Sequence, residues 1–348
     1  MTVVVMPIVS DGHADLCSSI QEMLVESLAA KLYESPSQLA SASQLVIAGL
    51  GQWGGDEVRE ALRVAGQLGV QRTLWQLETL PPMNGDNSVA ARILLRRTPD
   101  RVTGLARLID KYALRMLDRE LQQQEWWRDS GLEARRLGLP YREARRIREL
   151  WREKLLDRVL VSLESRLKFL HAIGVDASFI PLGYHPLWGH PLAHEERKLD
   201  AIFIGTPTPA RVPQINRMQE QLSAEGFNLT VIEGGCYGEQ RTRLLNNAKI
   251  LIHLRNYPWE MTRMRMLMGM GCKSLVVTED FWDVAPFVPG THLVTAPPEG
   301  LGDAIIHYLR NETEREEIVE QAHSLIANDL ELGRLLTDAI ESSDRLRS

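Results

Sequence analysis

The sequence predicts an α/β protein of two domains built on parallel sheets. Three observations carry this. The chain has 348 residues, and at roughly 100–200 residues per domain that is the length of two domains. Short β-branched or apolar runs alternate with helix-length amphipathic stretches along most of it, the pattern of helices layered on parallel strands. The rhythm breaks only twice, at a long charged helical tract from about Pro99 to Glu153 and at the proline-interrupted stretch Gly183–Lys198, GYHPLWGHPLAHEERK. The latter has neither a strand nor a helix period and reads as a linker.

In the first half the expected strands are Thr2–Val9, Gln44–Leu50, Arg72–Leu77, Arg158–Leu163 and Ser178–Leu182, with helices filling most gaps. Within the helical tract, Ala144, Ile147, Leu150 and Trp151 recur at three- and four-residue spacing, so one face packs while arginines cover the other. In the second half the expected strands are Asp200–Ile204, Leu229–Ile232, Lys249–Leu254, Ser274–Val277 and His292–Thr295. Helices are expected at Val212–Ala224, Glu239–Asn247, Pro258–Met270, Leu301–Arg310, Glu312–Ala327 and Leu330–Ser342. The expected organisation is a first domain over 1–183 carrying the tract at about 99–153, a linker at 184–198, a second domain over 199–327, and a carboxyl-terminal helix over 328–348 that can reach back to the first domain.

Composition narrows the function. Hydrophobic residues make up 44% and charged residues 25%, values of a chain that folds rather than of a disordered one. Forty Lys and Arg against 46 Asp and Glu leave a formal net charge of −6, which is no footprint for a nucleic-acid backbone. Cys17, Cys236 and Cys272 are odd in number and far apart, so neither a disulfide framework nor a zinc knuckle is expected and a reducing cytoplasm fits. No run reaches the roughly 18 apolar residues of a membrane span. The start, MTVVVMPIVSDGHAD, lacks the basic region and cleavage site of a signal peptide, so the protein is expected to be cytoplasmic, neither exported nor anchored.

Ligands of open parallel sheets sit beyond the carboxyl ends of the strands, so the loops after the strands are the ones to read. Gly205-Thr206-Pro207-Thr208-Pro209-Ala210-Arg211 is small and hydroxyl-bearing and ends in an arginine where a helix begins; its N–H groups, hydroxyls and guanidinium suit a phosphate. A proline-stiffened turn with a surface arginine explains it as well. In Arg255-Asn256-Tyr257-Pro258-Trp259-Glu260, Asn256 suits a helix N-cap and Pro258 the first turn. Glu260 and Arg263 would then share a face near the positive helix end, a carboxylate for sugar hydroxyls beside a guanidinium for a diphosphate, or simply a surface ion pair. Met261, Met264, Leu267 and Met268 continue as a core stripe. Glu233-Gly234-Gly235-Cys236-Tyr237-Gly238 would let a base or ribose approach the backbone and stack on Tyr237, or is a plain turn.

Together, DAIFIGTPTPAR, NAKILIHLRNYPWEMTRMRMLMGMGCKSLVVTED and FVPGTHLVTAPPEGLGDAIIHYLRNETEREEIVEQA resemble the carboxyl-terminal domain of GT-B glycosyltransferases, in particular the spore-maturation CgeB-like group. SQLVIAGLGQWGGDEVREALRVAGQLGVQRTLWQLETLPP and SLESRLKFLHAIGVDASFIPLGYHP resemble the first domain of that group and its run into the second. The resemblance covers most of the chain outside the helical tract. It implies the GT-B fold, two Rossmann-like parallel-sheet domains facing a cleft, here with a helical insertion in the first. It also implies a nucleotide-diphosphate sugar as donor substrate held mainly by the second domain, and an unidentified acceptor approaching from the first. On that basis Gly205, Thr206, Arg211, Tyr237, Asn256 and Arg263 are expected to bind the donor and Glu260 its sugar or ribose hydroxyls. Many retaining GT-B enzymes carry a second glutamate after seven intervening residues; here that place is Met268, which leaves the ribose contact and activity itself open. No Asp-x-Asp triplet occurs, so the paired carboxylates of a metal-dependent GT-A site are missing, and no metal or cofactor is expected.

At the end of the first strand, Asp11 and His13 can take a proton from an acceptor hydroxyl near neutral pH; a capping Asp beside a surface His is the plainer alternative. Gly49-Leu50-Gly51-Gln52-Trp53-Gly54, with Glu78 24 positions on, has the form of a dinucleotide fingerprint and keeps an NAD(P)-dependent enzyme open, although bulky Trp53 stands where a helix must pack closely. His185, His190 and His194 lie in a proline-broken stretch that does not hold a helical metal-ligand pair. Trp126-Trp127 among arginines suits helix packing, an acceptor surface or a homodimer through the tract better than nucleic acid. The function expected is glycosyl transfer; a catalytically inactive GT-B-like sugar-nucleotide-binding or partner protein is the second expectation.

Overall fold

The computed structural model describes residues 1–8, 14–50, 53, 55–82, 88–96, 104–129, 132–193, 196–257, 259–281 and 284–341. The chain divides into two compact units, Met1–Pro181 with Leu336–Ser348, and Leu182–Leu335.

Unit 1 runs β1 (Val3–Val5), α1 (Ala14–Ser27), β2 (Lys31–Leu32), β3 (Gln44–Gly49), α2 (Asp56–Gln67), β4 (Gln71–Gln76), α3 (Val89–Leu94), α4 (Gly104–Leu121), α5 (Glu125–Asp129), α6 (Gly138–Arg152), β5 (Arg158–Val161), α7 (Glu164–Ala172) and β6 (Ser178–Phe179). Among the described residues the strands form a six-stranded sheet in the order β2-β1-β3-β4-β5-β6, and each neighbouring pair is parallel. Every residue of β1, β3 and β5 is buried, as expected of strands covered on both faces. The helical insertion lies between β4 and β5 and comprises α3 to α6. Its α6 buries Ala144, Ile147 and Leu150 as the periodicity predicts, but also Glu143 and Arg145, so the arginines do not simply cover the outer face. Arg145 Nη1 reaches the carbonyl of Leu94 at 3.4 Å and the carboxylate of Asp110 at 3.5 Å.

Unit 2 runs β7 (Leu199–Ile204), α8 (Val212–Ala224), β8 (Leu229–Ile232), α9 (Gly238–Asn246), β9 (Ala248–His253), α10 (Met264–Gly271), β10 (Leu275–Glu279), β11 (Val294–Ala296), α11 (Leu301–Arg310), α12 (Glu312–Asn328) and the start of α13 (Leu332–Glu341). Its sheet is parallel throughout, in the order β11-β10-β9-β7-β8. Its core interleaves Phe203, Ile250, Ile252 and Val277 of the strands with Met218, Leu222, Leu301, Ile305 and Ile318 of the helices.

Three expectations change. The first strand ends at Val5; Val9 lies outside the described residues. The stretch expected as a linker packs into unit 2 instead. Trp188 is fully buried, Arg241 Nη2 donates to the carbonyls of Leu187 and Trp188 at 3.1 and 3.2 Å, and Arg197 donates to those of Leu245, Ala248 and Cys272. Guanidinium groups thus tie this stretch to α9, β9 and the end of α10. The helix expected from Pro258 begins only at Met264, with Arg263 as its N-cap. Tyr257 and Trp259 pack with ring centroids 4.8 Å apart, and an antiparallel bridge joins Tyr257 to Glu260. This turn displaces the helix start that Asn256 and Pro258 signal locally. Among the described residues, no helix is long and apolar enough to cross a membrane.

Candidate functional site

In unit 2 the chain passes from β7 to β8 on one side and returns to β9 on the other. The carboxyl ends of β7 and β9 therefore flank the topological switch point, the place where open α/β sheets bind ligands. Gly205 follows β7 with φ +144°, a conformation that side-chain-bearing residues rarely adopt. A Cβ there would come within 2.8 Å of Arg265 Nη2, so only glycine lets the Arg265 guanidinium lie against this loop. Arg265 Cζ stands 5.8 Å from the centroid of the Phe203 ring, within cation–π range. Its Nη1 is 3.3 Å from His253 Nδ1. A guanidinium only donates, so Nδ1 accepts and the imidazole proton sits on Nε2.

Among the described residues, the electrostatics of this corner leave Arg265 as a cation without a carboxylate partner. His253 is fully buried, and burial, then the charges of Arg265 and Arg211, hold its pKa well below 6.5 against a backbone hydrogen bond at Thr262; it is neutral. Burial, then repulsion from Arg211, lower Arg265 to about 10, so it keeps its charge at neutral pH. No carboxylate of a described residue pairs with it.

Arg211 is the second guanidinium over Phe203, at 5.7 Å, but it is buried and turned inward. Nε donates to the carbonyl of Arg255 at 3.0 Å, Nη1 to that of Thr206 at 3.1 Å and Nη2 to that of Leu254 at 2.7 Å. It ties the loop after β7 to the end of β9. Thr206 is exposed at the same sheet end, while Thr208 is buried. Arg255, in the loop after β9, is neutralised by Glu279 at the end of β10, Nε to Oε2 at 2.6 Å.

Asn256 is half-buried in that loop and caps no helix. Glu260 and Arg263 are both buried, at 5% and 2% exposure, and precede α10, so they are not the i,i+3 helical pair expected. Met268 lies buried inside α10. Tyr237 is the N-cap residue of α9 and half-buried, reached from β8 through Gly234 and Gly235 at φ +86° and +68°; β8 neighbours β7, so Tyr237 stands at the same sheet end. Sequence reasoning missed Arg265 and His253. The signal was present, since His253 is the last residue of a strand and Arg265 falls in the first turn of the helix after it.

In unit 1, Asp11 and His13 lie outside the described residues, as do Gly51, Gln52 and Gly54 of the glycine fingerprint. Trp53 is buried and its Nε1 donates to Glu143 Oε1 at 2.6 Å. The other oxygen of Glu143 is 3.9 Å from Arg146 Nη1. Burial pushes the Glu143 carboxyl up to about 7; the indole hydrogen bond lowers it, Glu78 raises it, and Arg146 and Arg166 lower it. Unit 1 thus holds, beside the loop after β3, a carboxyl that exchanges its proton near neutrality, carried by the helical insertion. Trp127 is buried with Nε1 donating to Asp118 Oδ1 at 3.2 Å, so it packs the tract; the side chain of Trp126 lies outside the described residues. His185 Nδ1 accepts from Leu187 N at 3.2 Å, His190 Nδ1 is 3.3 Å from the Pro186 carbonyl, and His194 lies outside the described residues. Among the described residues, no group of three His, Cys, Asp or Glu is placed to hold a metal ion.

A family model described as glycosyl transferase-like matches residues 214–335, less than half of the chain. No curated protein matches the chain. Among solved structures, Anabaena HepE in complex with UDP is similar with a TM-score of 0.56 at 9% identity, covering 99% of this chain and 100% of that one. HepE in complex with UDP and glucose gives 0.54 at 10% identity, and HepE with UDP-glucose 0.52 at 8%, both with the same coverage. At such identity the likeness is one of fold. The fold is of the GT-B class, with two parallel-sheet α/β domains, the first carrying the helical insertion.

Proposed function

We propose that the chain is a glycosyltransferase that takes a sugar from a nucleotide-diphosphate donor, bound in unit 2, and passes it to an acceptor whose identity is open. The observation that carries this reading is Arg265, a cation without a carboxylate partner among the described residues, laid beside Gly205 at the switch point between β7 and β9. A diphosphate supplies the missing counter-charge, and guanidinium hydrogen bonds to phosphate are among the stronger ones available to proteins. The backbone of Gly205 and the hydroxyl of Thr206 line the same place, Arg211 holds it in shape, and Tyr237 and Asn256 serve the nucleoside or sugar. Glu260 and Arg263 act from the segment before α10. On the acceptor side Asp11 and His13 are joined by Glu143 as a group able to receive a proton near neutral pH. No metal or cofactor enters. The glycosyl transferase-like match over 214–335 supports the reading, as do the UDP complexes of HepE; the CgeB-like assignment is the finer part of the same proposal and rests on the sequence resemblance.

Thermal unfolding with UDP, UDP-glucose, and GDP-, dTDP-, CDP- and ADP-sugars, with NAD and NADP beside them, tests this directly. A ligand at about a hundred times its Kd adds about 2.7 kcal/mol of stability. The expected result is stabilisation by one sugar nucleotide, lost in Arg265→Ala, with nucleotide release once an acceptor is supplied. Stabilisation by NAD or NADP alone would overturn it. Met268, apolar and buried where many retaining relatives place a glutamate, favours a second reading, a sugar-nucleotide-binding protein that does not turn over. Donor binding with neither hydrolysis nor transfer would select that one.

A further inference from the structure

Among the described residues, four of the eleven large apolar side chains that stand exposed belong to one helix, α4: Leu105 at 68%, Leu108 at 65%, Ile109 at 38% and Tyr112 at 63%. Their spacing of three, four and seven puts them on one stripe. The helix is amphipathic in the ordinary sense on its other side, where Ala113, Leu117 and Leu121 are buried. Its acids are used inward. Asp110 pairs with Arg96 at 3.0 Å and Arg145 at 3.5 Å, and Asp118 accepts the Trp127 indole. Its bases are not. Arg107, Lys111, Arg115 and Arg119 are all exposed, at four-residue spacing, and none makes an ion pair with a described residue; the one exposed acid on the helix is Glu120. In a chain whose net charge is −6, this face is locally positive and apolar at once.

That combination identifies its occupant. An apolar stripe flanked by unpaired bases lies in the plane of a bilayer, side chains at the acyl boundary and bases among headgroups. A second copy of the chain fits less well, because a two-fold contact sets the same patch against itself and brings the basic rows together. We propose that the outward face of α4 docks this protein on membrane surfaces carrying anionic headgroups, with Leu105, Leu108, Ile109 and Tyr112 entering the interface and Lys111, Arg115 and Arg119 meeting the headgroups. The helix spans nothing and anchors reversibly. This inference stands apart from the donor site and survives or fails without it.

The test is sedimentation of the full chain with phosphatidylcholine vesicles, with and without phosphatidylglycerol. Binding is expected only where phosphatidylglycerol is present, weakening as salt is raised. It should fall at least about tenfold both in Leu105→Ser/Leu108→Ser/Tyr112→Ser and in Lys111→Glu/Arg115→Glu/Arg119→Glu. Leu68→Ser, at an exposed apolar position outside α4, should bind as the parent does, and all variants should keep the parent's circular dichroism because the altered side chains are exposed. Absence of binding, equal binding to both vesicles, or binding unmoved by either set of changes would overturn the proposal. So would self-association in solution that the same changes abolish, which would assign the face to a second copy.

Discussion

Replacing Glu143 by glutamine removes a buried charge while keeping an oxygen to accept the Trp53 indole. Glu143 is 6% exposed, and its pKa is raised from 4.5 to about 7, chiefly by burial. A carboxyl whose pKa is raised in the folded state binds its proton more tightly there than in the unfolded chain. Its contribution to stability is therefore complete below the unfolded value of 4.5 and is lost as pH climbs through 7. At roughly 1.4 kcal/mol per pH unit, the interval from 4.5 to about 7 corresponds to about 3 kcal/mol. The variant lacks this loss. Urea unfolding of the parent and Glu143→Gln, followed at the transition of unit 1, should give similar stabilities near about pH 4.5 and a variant more stable by about 3 kcal/mol above about pH 7. A difference independent of pH would show that the carboxyl titrates alike in both states and refute the reasoning. A variant less stable above pH 7 would show that Arg146 and Arg166 over-compensate the burial.

Other perturbations separate the site from its scaffold. Arg265→Ala should weaken binding of the sugar nucleotide about 10- to 100-fold by calorimetry and leave the unfolding temperature nearly unchanged, whereas Arg211→Ala, which strips three backbone carbonyls of their donor, should cost about 3 kcal/mol of stability. Gly205→Ala forces a side chain onto φ +144° and against the Arg265 guanidinium. It should cost about 1–3 kcal/mol by denaturation and reduce donor affinity in the same titration. All three cysteines are buried, and burial pushes the Cys272 thiol up to about 12; a thiol reagent should label the native chain slowly and all three positions at once in denaturant.

The parallel sheets were legible in the sequence because a buried strand is a local signal. Ala201–Ile204, Ile250–Ile252 and Leu275–Thr278 are continuous apolar or β-branched runs, and the structure leaves them fully buried but for the 8% exposure of Ile204. The loop after β7 was legible for the same reason, since Gly205 is demanded by its own backbone. β2 was not, because two residues show no period. The helix start at Pro258 was misread because capping rules see only their own turn, while the Tyr257–Trp259 contact and the bridge to Glu260 outweigh them.

The site is where the local signals ran out. Along the chain, Arg211, Arg255, Arg263 and Arg265 are four like residues at strand ends and helix starts. Glu279, 24 residues away, neutralises Arg255. Carbonyls 43 and 44 residues away engage Arg211. Arg263 is buried at the start of α10. Arg265 lies half-buried beside Gly205 and a neutral His253, with no carboxylate of a described residue paired to it. Glu143 has the same history, read as one residue of a charged tract until Trp53, 90 positions earlier, meets it in a buried place. Sequence by itself determined which segments become strands and helices and what chemistry each loop carries, because these follow from spacings of a few residues. Tertiary structure alone decided which charges are spent on the scaffold and which remain for a ligand, because desolvation and partnering are set by residues that only the fold brings together.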